Sequence, residues 1–197
     1  MPKKATLTLL SVALGAVVAA ALSSVALRFQ FMTSPVTGFT GFLYTIPSVA
    51  LFGLLVPYFG LSRVTAVVPL AAYTLLILVT NTLAGFAAVP DSVRDAANGM
   101  GLTPQRRVIE VELPLALPYI IAGLRIAVVS TVGLVTVAAI IGQGGLGSLI
   151  LDGLQRTFWT PMTIGATLSI VLALVLDATI YTLGRLATPW AQRGRTS

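Results

Sequence analysis

Arg125 and Asp177 stand alone within long apolar stretches of the chain, and seven other charged residues crowd into positions 90–117. Those nine are half of the eighteen charged side chains present, twelve basic and six acidic. The crowded stretch reads Pro90-Asp91-Ser92-Val93-Arg94-Asp95-Ala96-Ala97-Asn98-Gly99-Met100-Gly101-Leu102-Thr103-Pro104, then Gln105-Arg106-Arg107-Val108-Ile109-Glu110-Val111-Glu112-Leu113-Pro114. The chemistry open to it is ion pairing and docking rather than bond-breaking. There is no cysteine and no histidine, which removes disulfides, thiol nucleophiles and imidazole metal sites. No phosphate-cradling lysine loop, nucleophile constellation or paired catalytic carboxylates in a cleft is legible, so the expected catalytic and metal sites are none.

The elements that must carry these charges are apolar. Hydrophobic residues make up 56% of the chain and charged residues 9%, against about a quarter charged in ordinary soluble domains. The bilayer is the natural solvent for such a surface. A crossing helix needs about 20 apolar residues, and five segments supply them: 5–27, 41–59, 64–87, 116–141 and 162–187. Sustained period-2 alternation is absent, which argues against a membrane β-barrel. Lys3-Lys4 before an apolar run resembles a secretion signal, but the run is long for one and is read as a retained span. The expectation is a single all-α transmembrane domain over 1–197, interrupted by one polar loop at 90–117.

Positive charges orient it. With the loop inside the cell and five crossings, Arg28, Arg94, Arg106, Arg107, Arg185, Arg193 and Arg195 lie inside, and Lys3, Lys4, Arg63 and Arg156 outside. The C-terminus is then cytoplasmic and the N-terminus external, with Lys3 and Lys4 against the trend. Basic residues dispersed at segment ends in this way suit a lipid boundary and give no patch for nucleic acid.

Within the loop two short helices are expected. Asp91 would cap the first, over Ser92 to Met100. Thr103-Pro104 would start the second, with proline in the turn where its missing N–H costs nothing; Pro114 would end it. Gly99 and Gly101 permit the reversal between them. Ala96 and Ala97 would let another surface approach the backbone closely. Arg106 and Arg107 lie four and three residues from Glu110, within pairing reach along a helix.

Asp95-Ala96-Ala97, three residues, Gly101, nine residues, then Val111-Glu112-Leu113-Pro114 resembles the cytoplasmic signature loop of binding-protein-dependent ABC importer permeases, Glu-Ala-Ala…Gly…Ile-x-Leu-Pro. Asp replaces Glu and Val replaces Ile at matching intervals. Tyr44-Thr45-Ile46-Pro47-Ser48 and Ile141-Gly142-Gln143-Gly144-Gly145-Leu146-Gly147 are similar to segments of the members that import glycine betaine, choline and carnitine. The resemblance implies a type I importer permease fold in a bacterial cytoplasmic membrane. It implies a coupling helix seated on an ATPase subunit, a second permease subunit and an extracytoplasmic binding protein. ATP and magnesium would be bound by the ATPase, with no cofactor in this chain. Asp95, Ala96, Ala97, Gly101, Thr103, Arg106, Arg107, Glu110, Leu113 and Pro114 would form the coupling loop. A permease for another small solute such as an amino acid, an ATPase-independent carrier and a non-transport subunit are the alternatives.

The remaining polar residues are weighed against helix packing. Tyr44, Thr45, Pro47, Ser48, Tyr73, Asn81, Thr136, Gln143 and Gly144 are candidates for a translocation path or gate, although intramembrane Ser and Thr commonly bond their own helix. Gly142-x-Gly144-x-x-Gly147 spells a dinucleotide fingerprint but follows a span rather than a strand, and reads as a re-entrant turn. Arg125 and Asp177 fall at similar depth and are expected to pair across the fourth and fifth spans, because a lone charge in hydrocarbon costs several kcal/mol; the rival reading is that Asp177 contacts a cationic substrate.

Overall fold

The computed structural model describes residues 2–143 and 145–193. The first apolar run forms α1, Pro2–Arg28. After a 3₁₀ turn over Gln30–Met32 come α2, Thr33–Thr45, and α3, Ser48–Phe59. Then α4 spans Arg63–Ala87 and α5 Asp91–Gly99. A nearly unbroken rod follows: α6 (Pro104–Arg107), a π-helical turn (Val108–Glu112) and α7 (Leu113–Val137). The chain closes with α8, Leu146–Gln155, α9, Trp159–Ala187, and a last turn α10, Trp190–Arg193.

Among the described residues, four helical stretches are long and apolar enough to cross a membrane: Ala5–Arg28, Arg63–Ala87, Pro104–Ile141 and Trp159–Ala187. The expected span 41–59 is not one helix. It is the second half of a pair, Gln30–Thr45 and Ser48–Phe59, bent by 88°; counted as one broken span, the pair makes five. The cause is local. Proline disfavours helical geometry in the residue before it, and Ile46 is accordingly extended, with ψ of 126° ahead of Pro47. The phenol of Tyr73 on α4 donates to the freed carbonyl of Ile46, and its ring meets Tyr44 edge-on at 5.6 Å. Thr33-Ser34-Pro35, which lies between the expected spans 5–27 and 41–59, is the first turn of α2.

Helix α4 is the axis of the body, packed by α1 on one side and α7 on another, with α9 held by α7 and α8. One buried cluster joins Leu7, Phe52, Ala66, Leu70, Val135 and Ile141; the other joins Ala19, Ala26, Val36, Leu75, Leu78, Val79 and Ala127. The α1–α4 seam runs on small side chains, as membrane helix contacts do where hydrocarbon gives no hydrophobic drive. A β-carbon on Gly15 would stand 1.8 Å from the Thr74 hydroxyl oxygen and 3.1 Å from the Ala71 carbonyl. Gly15→Ala is therefore expected to destabilise the detergent-solubilised protein by about 1–3 kcal/mol. Adding Thr74→Ala should restore only part of the melting temperature, because the Ala71 carbonyl stays in place; full restoration would show that the seam can slide.

The glycine-rich stretch after α7 is more ordered than a re-entrant turn. Only its first residues turn, with Gly142 left-handed; from Leu146 it forms α8, packed on α9. Asp152 and Arg156 pair at 2.7 Å on its outer side. Gly144 lies outside the described residues.

Candidate functional site

The polar island folds as a hairpin whose outer helix is α5. Pro90 rather than Asp91 occupies the N-cap, and no side chain caps that end. Asp91 sits in the first turn instead, where its charge suits the helix dipole and pairs with Arg94 at 2.9 Å. The far end closes with Leu102 N–H on the Ala97 carbonyl and Gly101 N–H on the Asn98 carbonyl. That double return is a Schellman closure, and it sets Gly101 at φ +78°. Thr103 then accepts from the Arg106 amide at 3.5 Å and opens α6.

Asp95, Ala96, Gly99, Met100 and Gly101 face outward, and Met100 is 72% exposed. Ala97 is not part of that surface: it is 1% exposed and packs inward, a correction to the expectation that both alanines face a partner. A small-residue patch with one flexible apolar side chain at its tip is what remains.

Pro114 does not end the second helix. Its ring would strike the carbonyl four residues back in α geometry. The chain relieves this by widening to a π turn, in which Leu113 N–H reaches the Val108 carbonyl, and the helix continues. The same logic recurs one turn later. Pro118 leaves the Pro114 carbonyl without its helical donor, and the Trp190 indole N–H takes it at 3.3 Å, which ties α10 to the base of α7.

Arg106 pairs with Glu110 at 3.7 Å on the surface. Arg107 does not: its Nε meets Glu112 Oε1 at 2.7 Å and its Nη1 donates to Asn98 Oδ1 at 2.9 Å. Arg94 Nε lies 3.5 Å from Glu112 Oε2, and Arg94 Nη2 donates to the Phe86 carbonyl at 2.6 Å. Glu112, with only 8% of its side chain exposed, is thus the hub of the island. Sequence reasoning missed it, treating it as the free position before Leu113-Pro114. The one available signal was a carboxylate at the mouth of an apolar span, which needs a cation.

Within the spans, Arg125 and Asp177 are brought together across α7 and α9 in a bidentate pair, Nε to Oδ1 at 2.8 Å and Nη2 to Oδ2 at 2.7 Å. Fork-to-carboxylate geometry of this kind is the strong form of the interaction. Tyr181 stacks beneath the Arg125 guanidinium at 4.8 Å. The pair opens onto two adjoining grooves of about 520 and 720 Å³ between α7 and α9, which share Ala122 and Arg125.

The other path candidates are scattered. Tyr44, Tyr73, Thr45, Pro47 and Ser48 gather at the α2–α3 elbow, where Thr45 bonds the Phe42 carbonyl of its own helix. Asn81 donates to Ile77 and packs on Gly123 of α7. Thr136 bonds Gly133 within α7. Gln143 donates to the Leu61 carbonyl at 3.2 Å, joining the turn after α7 to the turn before α4. That junction, with Thr6 and Arg63 around a shared pocket, lies at the end of the body opposite the polar island.

A family model described as "Binding-protein-dependent transport system inner membrane component" matches residues 10–187. The chain is 38% identical over 188 residues to the osmoprotectant import permease protein OsmW of Salmonella typhimurium, spanning 93% of this chain and 87% of that one. It is 36% identical over 186 residues to the choline transport system permease protein OpuBB of Bacillus subtilis, with 93% and 85% covered. Among solved structures, the MetNI methionine ABC transporter in an inward-facing conformation superposes with a TM-score of 0.78 at 22% identity, covering 94% of this chain and 93% of that one, a likeness of fold.

Proposed function

We propose a cargo and a coupling route for this chain, which belongs to the family of binding-protein-dependent transport system inner membrane components. It is the permease subunit of an ATP-driven importer, and its cargo is an osmoprotectant of the quaternary-amine class, such as choline or glycine betaine. The cargo follows from the osmoprotectant and choline permeases at 38% and 36% identity over nearly the whole chain. The route follows from α5: a short polar helix outside the apolar body, small-faced, closed by Gly101 and tied inward by Arg94 and Arg107.

In this reading an ATPase subunit seats α5 in a groove, with Ala96 and Gly99 allowing close approach and Met100 filling an apolar pocket. ATP is hydrolysed by that partner. A second permease subunit completes the path, an external binding protein delivers the cargo, and α5 and the C-terminus face the cytoplasm. Nucleotide-driven movement of α5 then shifts α4 and α7 between outward and inward access. The observation that carries this reading is the outward patch on α5 at the end of the body from which α4 leaves and α7 begins.

The experiment is co-purification of the tagged chain from native membranes, with identification of the bound soluble subunits. The ligand of the external subunit is then titrated with choline and glycine betaine. An ATPase together with a binding protein that takes either amine is the expected result. A binding protein selective for an amino acid would overturn the cargo, and a chain with no ATPase attached would overturn the route.

A further inference from the structure

We infer that Glu112 is a positioning residue for coupling, a buried anion that makes α5 move as one body with α4 and α7. Its two carboxylate oxygens hold different guanidiniums, Oε1 with Arg107 and Oε2 with Arg94. Each arginine is bound a second time elsewhere: Arg94 at the Phe86 carbonyl in the last turn of α4, and Arg107 at Asn98 on α5. Arg94 is itself an α5 residue. One carboxylate at the base of α7 therefore lashes together α4, α5 and α6.

Physical chemistry favours a stiff joint here. Ionic hydrogen bonds shielded from water are stronger than exposed ones, and both arginines are about three-quarters buried, at 26% exposed each. Guanidinium forks are rigid and satisfy two acceptors at fixed angles, which a flexible ammonium cannot do. The remaining packing of α5 is weaker: it touches α6 and the π turn only slightly, and only Ala97 among its residues is buried. Without the anion, α5 would keep its backbone turns at Val89-Pro90 and Gly101-Leu102 and the separate bonds Arg94–Phe86 and Arg107–Asn98, with nothing joining the two guanidiniums to the base of α7. A push on it would bend those turns before it moved the spans.

This rests on the proposed seating of an ATPase on α5, and the test separates the two ideas. The chain has no cysteine, so spin labels can be placed at Ser92 on α5 and Val68 on the exposed side of α4, about 30 Å apart at helical rise. The parent protein should give one narrow distance distribution, and Glu112→Gln a broad one. In the full transporter, Glu112→Gln should still assemble, while stimulation of ATP hydrolysis by the binding protein loaded with choline falls about tenfold, in the range of a typical coupling energy. Arg107→Lys keeps the charge but loses the planar fork that holds Glu112 and Asn98 at fixed angles. It should broaden the distances and lower stimulation to a lesser degree, and it serves if Glu112→Gln fails to insert. A narrow distribution in both variants would overturn the joint whether or not an ATPase binds. Broad distances with undiminished stimulation would overturn its part in coupling. Failure of the parent chain to bind any ATPase would instead remove the seating reading and leave the distance result standing.

Discussion

Gly101→Val should cut transport by about tenfold or more while leaving membrane insertion intact. The residue occupies φ +78° with open space around the position where a side chain would stand, so the penalty is conformational and not steric crowding by neighbours. A left-handed backbone costs an L-residue about 1–2 kcal/mol, and a β-branched one more. The chain would escape by undoing the closure at the end of α5, releasing the Ala97 and Asn98 carbonyls and rotating Met100 out of place. Each 1.4 kcal/mol at a docking surface is about tenfold in affinity. Asparagine tolerates the left-handed region, so Gly101→Asn should retain most activity. ATPase co-purification and uptake in vesicles read both variants. Normal uptake by Gly101→Val would show that the shape of this hairpin does not matter to transport.

Loss of either member of the Arg125–Asp177 pair should be nearly as damaging, by a different route. Arg125→Leu leaves a carboxylate, and Asp177→Leu a guanidinium, at hydrocarbon depth without its partner. A charge at the middle of a spanning helix costs about 3 kcal/mol on insertion scales. The pair is partly open, at 34% and 27% side-chain exposure, so solvent in the flanking grooves lowers that figure. A drop of roughly 5 °C in the melting temperature of the solubilised protein, at about 2–4 °C per kcal/mol for a chain of this size, is the expected result for each single change. The swap Arg125→Asp with Asp177→Arg should recover most of it. Two independent losses that simply add in the swap would end the idea that the pair links α7 to α9.

The spans 5–27, 64–87 and 162–187 were legible because a long apolar run has one stable home, a helix across lipid. Direction was not legible. Hydropathy cannot tell a straight span from two helices meeting at 88°, and although Pro47 sets the break, the elbow is braced by Tyr73, which lies on another helix. Pro114 fails to end the second helix because a π turn gives its ring room, a backbone adjustment that residue type alone does not announce. Gly145, Gly147 and Gly153 hide the helix over Leu146–Gln155, for which α9 supplies the apolar partner.

In the island, the reversal at Gly99 to Thr103 could be seen from turn chemistry alone. The pairing of Arg107 could not, since Glu110 and Glu112 are both within its reach and only the burial of Glu112 decides between them. Arg125 and Asp177 were the easiest to connect: in a segment where every other charge is excluded, two opposite ones have few alternatives.

The half-open ion pair also bears on how the subunit sits in lipid. An orphan copy adrift in a bilayer would bare that salt bridge and its grooves to acyl chains, which solvate neither. Lipid alone is thus a poor cover for the α7–α9 face of the subunit.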